Sequence, residues 1–244
     1  MLVRVEDIES MSVQNPRVLV GCPISDYHSY CVNEYLEGLR NIKYDNFEVV
    51  LVDNSKDDSY SEFLKKQGFN VIKMPYVDNA RDRIIFSRNK LKEFLLENGF
   101  DYFLSLEADV IAPVDIIDRL LLHSKNVVSA VYFNNLEKDK KIQTLMMLWV
   151  NRGEDKETIY HVSELELENP RLIEVAMCGL GCVLISRVAL EKIEFRYDKS
   201  FESFDDVWFC KDVKKEGFRI YGDTGVVCKH LFLKRPWEWK ELKT

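Results

Sequence analysis

Short apolar runs alternate with amphipathic segments along the first half of the chain. Apolar runs bounded by turn-forming residues predict β-strands, and segments with apolar residues at helical spacing predict helices. The predicted strands are 17–22, 47–52, 70–74, 103–109 and 127–133. The predicted helices are 29–39, 60–67, 79–98 and 113–123. This alternation predicts an α/β, Rossmann-like fold with a central, mostly parallel twisted sheet flanked by helices.

The second half of the chain is less regular. Strand patterns at 143–150 and 172–178 flank a polar, acid-rich stretch at 151–169, which we interpret as a substrate-facing loop. Gly179-Leu180-Gly181 interrupts an apolar run that resumes at 182–185. Glycine inside such a run predicts a bend or a close approach of the backbone.

The chain is long enough for one large domain, because 244 residues of which 46% are hydrophobic can bury a full core. A helix is predicted at 205–216, and a last strand pattern leads from 219 to 230. The expected divisions are an N-terminal extension (1–16), a single domain (17–232, with halves at 17–133 and 134–232) and a C-terminal tail (233–244).

Charge and hydropathy argue against several classes of partner. The formal net charge of −7 argues against a general binder of nucleic acid or anionic membrane, since such proteins present basic surfaces. No stretch approaches the roughly 20 apolar residues of a membrane span, and the N-terminus lacks a signal-peptide pattern. We therefore expect a cytoplasmic protein. The tail carries Trp237 and Trp239 together with Arg235, and three roles stay open for it: closing over the site, packing against a partner subunit, or touching a membrane-bound acceptor.

Six cysteines lie in mostly apolar contexts, without a Cys-x-x-Cys pair that would suggest zinc or redox chemistry. We expect reduced core residues. A disulfide between Cys178 and Cys182 stays open at this point.

The strand at 103–109 ends in two acids one residue apart, Glu107 and Asp109. In open α/β sheets, ligands bind at the carboxyl ends of the parallel strands. A pair of carboxylates there can hold a hard divalent cation that also binds phosphate oxygens. The alternative is that the acids only form a turn or cap the next helix.

Several short motifs follow one another in a defined order. They are Pro23-Ile24-Ser25 after the first strand, the strand end at 50–55, Arg88-Asn89, Glu107-Ala108-Asp109, the segments 179–187, 195–198, 204–210 and 217–220, and His230. Each is weak alone, but the ordered set resembles the A-type glycosyltransferases, in particular the family 2 group. The resemblance covers about 17–231. Glu107 stands where that family usually has Asp, and Asp205 stands where it usually has Glu. Both replacements keep the carboxylate but change the length of the side chain by one methylene.

The resemblance implies the glycosyltransferase A-type fold and transfer of a sugar from a nucleoside-diphosphate donor to an acceptor hydroxyl. It also implies that 17–133 is the nucleotide-sugar-binding half and 134–232 the acceptor-side half. It implies that Asp109, Glu107 and His230 hold Mn2+ or Mg2+ against the diphosphate. Asp206, with Asp205 beside it, is implied as general base, which gives inversion at the anomeric carbon. The residues implied in nucleotide binding are Pro23, Ser25, Asp53, Arg83, Arg88, Glu107 and Ala108. Asp53 favours a UDP-sugar, because its carboxylate would accept from the ring N–H of uracil. The acceptor is left open as a glycan, a lipid-linked molecule or a protein.

Other interpretations of the same residues remain open. Asp53 in Asp-Asn-Ser also forms turns, His230 also fits a strand end, and Asp205 or Asp206 also fits a helix cap. For Arg83 and Arg88 the alternative is a solvated side chain or an ion pair with Asp82 or Glu93. A sugar nucleotidyltransferase shares a related sheet, but it usually carries a Gly-rich loop after the first strand that this chain lacks. A non-catalytic module that binds nucleotide-sugars or glycans is the other alternative.

Overall fold

The computed structural model describes residues 15–138, 141–151, 158–232 and 235. Most of the N-terminal extension, and Trp237 and Trp239 of the tail, lie outside these residues. The strands are β1 (Val18–Ile24), β2 (Phe47–Asp53), β3 (Asn70–Lys73), β4 (Tyr102–Leu106), β5 (Val110–Ile111), β6 (Val127–Val131), β7 (Phe133–Lys138), β8 (Lys141–Met146), β9 (Leu148–Asn151), β10 (Ile159–His161), β11 (Leu172–Val175), β12 (Met177–Cys178), β13 (Cys182–Ser186), β14 (Ile220–Val227) and β15 (Lys229–His230). The helices are α1 (Val32–Arg40), α2 (Ser59–Lys66), α3 (Ala80–Glu97), α4 (Ile116–Leu121), α5 (Arg187–Leu190) and α6 (Asp205–Lys215).

An eight-stranded sheet forms the centre, in the order β11-β14-β6-β13-β4-β1-β2-β3. The neighbours β3, β2, β1 and β4 run parallel, as do β6 and β14. Strand β13 runs antiparallel to both of its neighbours, and β11 runs antiparallel to β14. The predicted α/β class with a mostly parallel sheet is confirmed.

The apolar runs become the central strands because helices cover them on both faces. Every residue of β1 is buried, and two apolar clusters lie on opposite sides of the sheet. Helix α1 buries Val32, Tyr35, Leu36 and Leu39, which recur at the spacing of one helix face. Helix α3 begins after Asn79, whose side chain accepts hydrogen bonds from two backbone amides of its first turn.

The predicted strand at 103–109 is shorter than expected, because β4 stops at Leu106 and Glu107–Asp109 forms a turn into β5. A hydrogen bond from Val110 N to Glu107 O (2.9 Å) closes that turn. The predicted strands at 143–150 and 172–178 are each divided in two. The stretch at 151–169, interpreted as a loop, contains β10 and a short 3-10 turn at Glu164–Leu167 among its described residues.

The six cysteines are free and buried. Cys178 contacts Cys210 and not Cys182, since Cys210 Sγ lies 3.3 Å from Cys178 O. No helix in the described ranges is long and apolar enough to cross a membrane.

Candidate active site

A pocket of about 370 Å³ lies at the carboxyl ends of β1 and β4. Parallel strands end at the same edge of a sheet, so strand-end residues far apart in sequence meet there. Every residue that we predicted for the site lines this pocket except Asp53. Their placement next to one another is a finding of the structure, whereas their chemical roles stay predictions.

Asp109 lies at the centre of a polar cluster, and its residue is only 4% exposed. Its Oδ2 accepts from Tyr30 OH (3.0 Å) and from Arg235 Nη2 (2.7 Å), and it lies 3.2 Å from His230 Nε2. Burial raises the pKa of the carboxyl, but the hydrogen bond and charge of His230 and the charge of Arg235 outweigh burial and hold the pKa well below its usual range. Asp109 is therefore an anion at every ordinary pH.

The pairing of two short strands brings His230 to Asp109. Strand β15 runs antiparallel to β5 and sets His230 opposite Val110, while Leu231 N donates to Asp109 O (2.7 Å). His230 Nδ1 lies 2.6 Å from Phe133 O, which fixes the ring and aims Nε2 at Asp109. Burial lowers the pKa of the imidazole, but the bond to Asp109 outweighs burial and raises it.

Arg88 connects the acidic turn to α6. Its Nη2 donates to Glu107 Oε1 (2.6 Å), its Nε lies 2.7 Å from Asp205 Oδ2, and the residue is 2% exposed. Burial raises the pKa of the Glu107 carboxyl, although the charge of Arg88 opposes that rise. The expectation that Arg88 reaches the nucleotide is not supported by this geometry, because its guanidinium is engaged with protein groups.

Asp205 and Asp206 have different environments although they are adjacent. Both line the pocket, but Asp205 is buried and paired with Arg88, whereas Asp206 is partly exposed and accepts from Val207 N (2.8 Å). Phe204, and neither acid, is the N-cap residue of α6. Burial and the neighbouring charge of Asp205 raise the pKa of Asp206 to about 7. A carboxylate with that pKa is suited to accept a proton near neutral pH.

The predicted nucleotide side of the pocket is formed by Pro23, Ser25, Ala108 and Arg83. Arg83 Nη1 donates to the carbonyls of residues 77 and 78, both at 2.7 Å, so the loop before α3 holds this side chain in place. These residues form one continuous wall with the acidic turn.

Asp53 corrects the sequence-based interpretation. The residue is fully buried, and its Oδ1 accepts from Ser55 N (2.9 Å) and Ser55 Oγ (2.6 Å). Its Oδ2 pairs with Lys73 Nζ at 3.3 Å. The carboxylate therefore points into the turn after β2, and the turn-forming alternative describes it better than contact with a base. Asn54, one residue further along, lines the pocket instead.

Sequence reasoning did not name Tyr132 or Tyr30 for the site, and it considered Arg235 only as part of a tail that could close over the site. Tyr132 is buried beside the pocket, and its OH accepts from Gly181 N (3.1 Å). A Cβ at Gly179 or at Gly181 would overlap the Tyr132 ring, which explains the interrupted apolar run. A signal for Tyr132 was present, because it lies in the predicted strand at 127–133 and the glycines predicted a close approach of the backbone. Tyr30 and Arg235 carry no comparable pattern.

Some of the side chains near Asp109 are suitable ligands for a divalent cation, and others are not. Asp109 supplies a carboxylate, and His230 supplies a buried Nε2 that lies 3.2 Å from Asp109 Oδ2, on a ring anchored through its other nitrogen. Glu107 is turned toward Arg88. In the part of the chain that the structure describes, no group of three or more His, Cys, Asp or Glu side chains is arranged to hold a metal.

No protein-family model matches the sequence, and no curated protein matches it. The fold does resemble solved structures. GalNAc-T7, solved with UDP, GalNAc and Mn2+, aligns over 89% of this chain with a TM-score of 0.63 and 8% identity. TarS of S. aureus aligns over 87% with a TM-score of 0.51 and 13% identity. A197 from STIV aligns over 88% of this chain and 85% of its own, with a TM-score of 0.47 and 19% identity.

The first two likenesses establish the glycosyltransferase A-type fold, as the sequence motifs predicted. The chain spans only 44% of the GalNAc-T7 chain and 35% of the TarS chain. Donor, acceptor and cation are therefore matters for proposal.

Proposed function

We propose that this protein is a glycosyltransferase, similar to family 2 enzymes, that transfers a sugar from a UDP-sugar to an acceptor hydroxyl with inversion. The observation that carries the proposal is the meeting of three groups in one pocket: the Asp109–His230 pair, the Glu107 carboxylate, and Asp206 with a pKa of about 7. Inverting transfer needs a group that stabilises the leaving diphosphate and a base on the acceptor side.

On the donor side, Asp109 and His230 would hold a divalent cation, with Glu107 as a further carboxylate within the same pocket. The cation would neutralise the charge that develops on the diphosphate as the sugar leaves. A solved structure with this fold contains UDP, GalNAc and Mn2+, which supports a UDP-sugar and a manganese-type ion.

On the acceptor side, Asp206 accepts the proton of the attacking hydroxyl. Its carboxylate is already deprotonated in about half of the molecules near pH 7, because burial and Asp205 raise its pKa. Asp205 does not compete for this role, since its carboxylate is paired with the buried guanidinium of Arg88.

The test is hydrolysis of UDP-sugars, in which water replaces the unknown acceptor. Purified protein is incubated with a panel of UDP-sugars and Mn2+, and released UDP is measured with and without chelator. We expect slow, Mn2+-dependent release for at least one sugar, and its loss in Asp109→Asn. The matched control is Asp118→Asn, which changes an exposed acid in the same part of the chain and should leave release unchanged. Equal release with chelator would remove the cation from the proposal, and no release with any sugar would favour a non-catalytic binding protein.

A further inference from the structure

One buried guanidinium joins the two sides of the pocket. Arg88 lies on α3, and its three nitrogens face three different parts of the chain. Nη1 donates to Ser105 Oγ of β4 (2.8 Å), Nη2 donates to Glu107 of the acidic turn, and Nε faces Asp205 of α6. Ser105 Oγ in turn donates to Leu180 O (2.7 Å), which ties the arrangement to the Gly-x-Gly segment.

This arrangement is a poor means of stabilising the fold. Removing an arginine and two carboxylates from water costs more than their attraction reliably returns, and apolar side chains of similar volume often stabilise a core as well. The fork of an arginine fixes the direction of the partners to which it donates, here Ser105 and Glu107, because its donors are coplanar and rigid. Asp205 Oδ2 lies 2.7 Å from Nε without hydrogen-bond geometry, so the charge of Arg88 holds it in place. The contribution of Arg88 is therefore geometric.

We propose that Arg88 is a positioning residue that sets the orientation of Glu107 toward the donor and, through Asp205, that of Asp206 toward the acceptor. The inference rests on the proposed transfer and extends it. Asp206 follows Asp205 directly in the first turn of α6, so a displacement of Asp205 moves the base. Displacements of about 1 Å in a reacting group can lower a rate by about 10².

A direct contact between Arg88 and the nucleotide is the competing explanation. The 2% exposure of the residue and the partner at each nitrogen argue against it. The two explanations differ in what they predict for variants that combine Arg88 with its partners.

The experiment is a pair of double-mutant cycles in the full chain. It uses Arg88→Met, Glu107→Gln and Asp205→Asn singly, and Arg88→Met combined with each of the other two. The affinity for UDP at saturating Mn2+ and the kcat for hydrolysis of a UDP-sugar are measured for each protein. We expect Arg88→Met to lower kcat by about 10². In the Arg88→Met background, Asp205→Asn should lower kcat no further. The kcat of the double variant should therefore be at least about tenfold higher than the product of the two single-variant losses would give.

The UDP affinities separate the two explanations. A positioning role predicts that Arg88→Met weakens UDP binding in the wild-type background and has no further effect in the Glu107→Gln background. The same loss of UDP affinity in both backgrounds would indicate direct contact and overturn the inference. A double variant whose loss in kcat equals the product of the losses in Arg88→Met and Asp205→Asn would also overturn it. A wild-type protein that neither binds UDP nor hydrolyses any UDP-sugar would instead overturn the proposed function on which the inference rests.

Folding is controlled by one variant of the cycle and by two further variants. Arg88→Met with Asp205→Asn removes the two buried opposed charges together, and the Glu107 carboxylate that loses its partner is 35% exposed to solvent. Ser105→Ala and Arg88→Lys each keep the positive charge but remove part of the fork's geometry, and each should lower kcat by about tenfold while UDP affinity changes less than about threefold. Wild-type kcat in both of these variants would contradict the positioning role even if Arg88→Met does not fold.

Discussion

Asp205 and Asp206 are adjacent acids whose replacement by asparagine is expected to change stability in opposite directions. The pKa of Asp206 is about 7 in the folded protein, against an ordinary value of 3.8. The folded state therefore binds this proton more tightly than the unfolded chain, and stability falls as pH rises from about 4 to about 7. Asp206→Asn removes this dependence.

The magnitude follows from the size of the shift. A shift of about three pKa units corresponds to about 4 kcal/mol, at about 1.4 kcal/mol per unit. Because Asp206 is partly exposed to solvent, we expect about half of that value. Asp206→Asn should raise the free energy of unfolding over the wild type by about 2 kcal/mol at pH 8 and should not change it at pH 4. A gain of 2 kcal/mol corresponds to a rise in Tm of about 4–8 °C for a chain of this size.

Activity should change in the other direction. Wild-type hydrolysis of a UDP-sugar should rise as pH rises through about 7 and then level off, because the deprotonated Asp206 is the active form. Asp206→Asn should lower the rate by at least about 10² and remove this rise. UDP affinity in the presence of Mn2+ should stay close to that of the wild type.

Asp205→Asn is the matched control. It leaves Arg88 with one carboxylate in place of two, so it should destabilise the protein by about 2 kcal/mol or more at neutral pH. Thermal unfolding from pH 4 to pH 8, with the hydrolysis rate at each pH, tests both variants. Unchanged activity in Asp206→Asn, or a Tm difference from the wild type that does not grow with pH, would refute the assignment of Asp206 as a raised-pKa base.

Four further outcomes are expected. UDP should raise the Tm only when Mn2+ or Mg2+ is present, and an equal rise with chelator, or a rise with GDP alone, would contradict the donor assignment. Asp109→Ala should abolish Mn2+-dependent UDP binding in calorimetry, and Glu107→Gln should weaken it less, since Glu107 is turned toward an arginine. Gly181→Ala should lower stability by about 2 kcal/mol or more in urea unfolding, because its Cβ meets the Tyr132 ring; an unchanged midpoint would contradict the close packing. Arg235→Ala should increase Mn2+ affinity, since it removes a competing cation at Asp109 Oδ2, and a decrease would argue against competition at that oxygen.

The sequence predicted the residues of the pocket well because they stand at strand ends. Glu107 and Asp109 follow a clear apolar run, and the topology of an α/β sheet gathers such positions at one edge. The meeting of His230 with Asp109 came from the family resemblance alone, since two-residue strands such as β5 and β15 leave no readable pattern.

The partners of buried charges were harder to predict. Periodicity identifies the face on which a residue lies, but it does not identify the partner. Arg88 is four residues after Ile84 and three before Leu91, so it lies on the apolar face of α3. A charge on such a face requires a buried acid, and that rule would have favoured ion pairing over nucleotide contact. The direction of β13 was not predictable either, because an apolar run has the same pattern in both directions.

The position of β13 has a consequence for biosynthesis. It fills the space between β4 and β6, although the chain makes both of those strands earlier. When Val131 has left the ribosome, the strand that must separate its neighbours has not yet been translated. A nascent chain that ends before residue 182 therefore leaves one edge of β4 and both edges of β6 without a partner in the sheet, because β13 and β14 are made later. Such open edges promote association between chains. The sheet closes late in synthesis, and nascent chains that stall before this point are the ones that most need protection by chaperones.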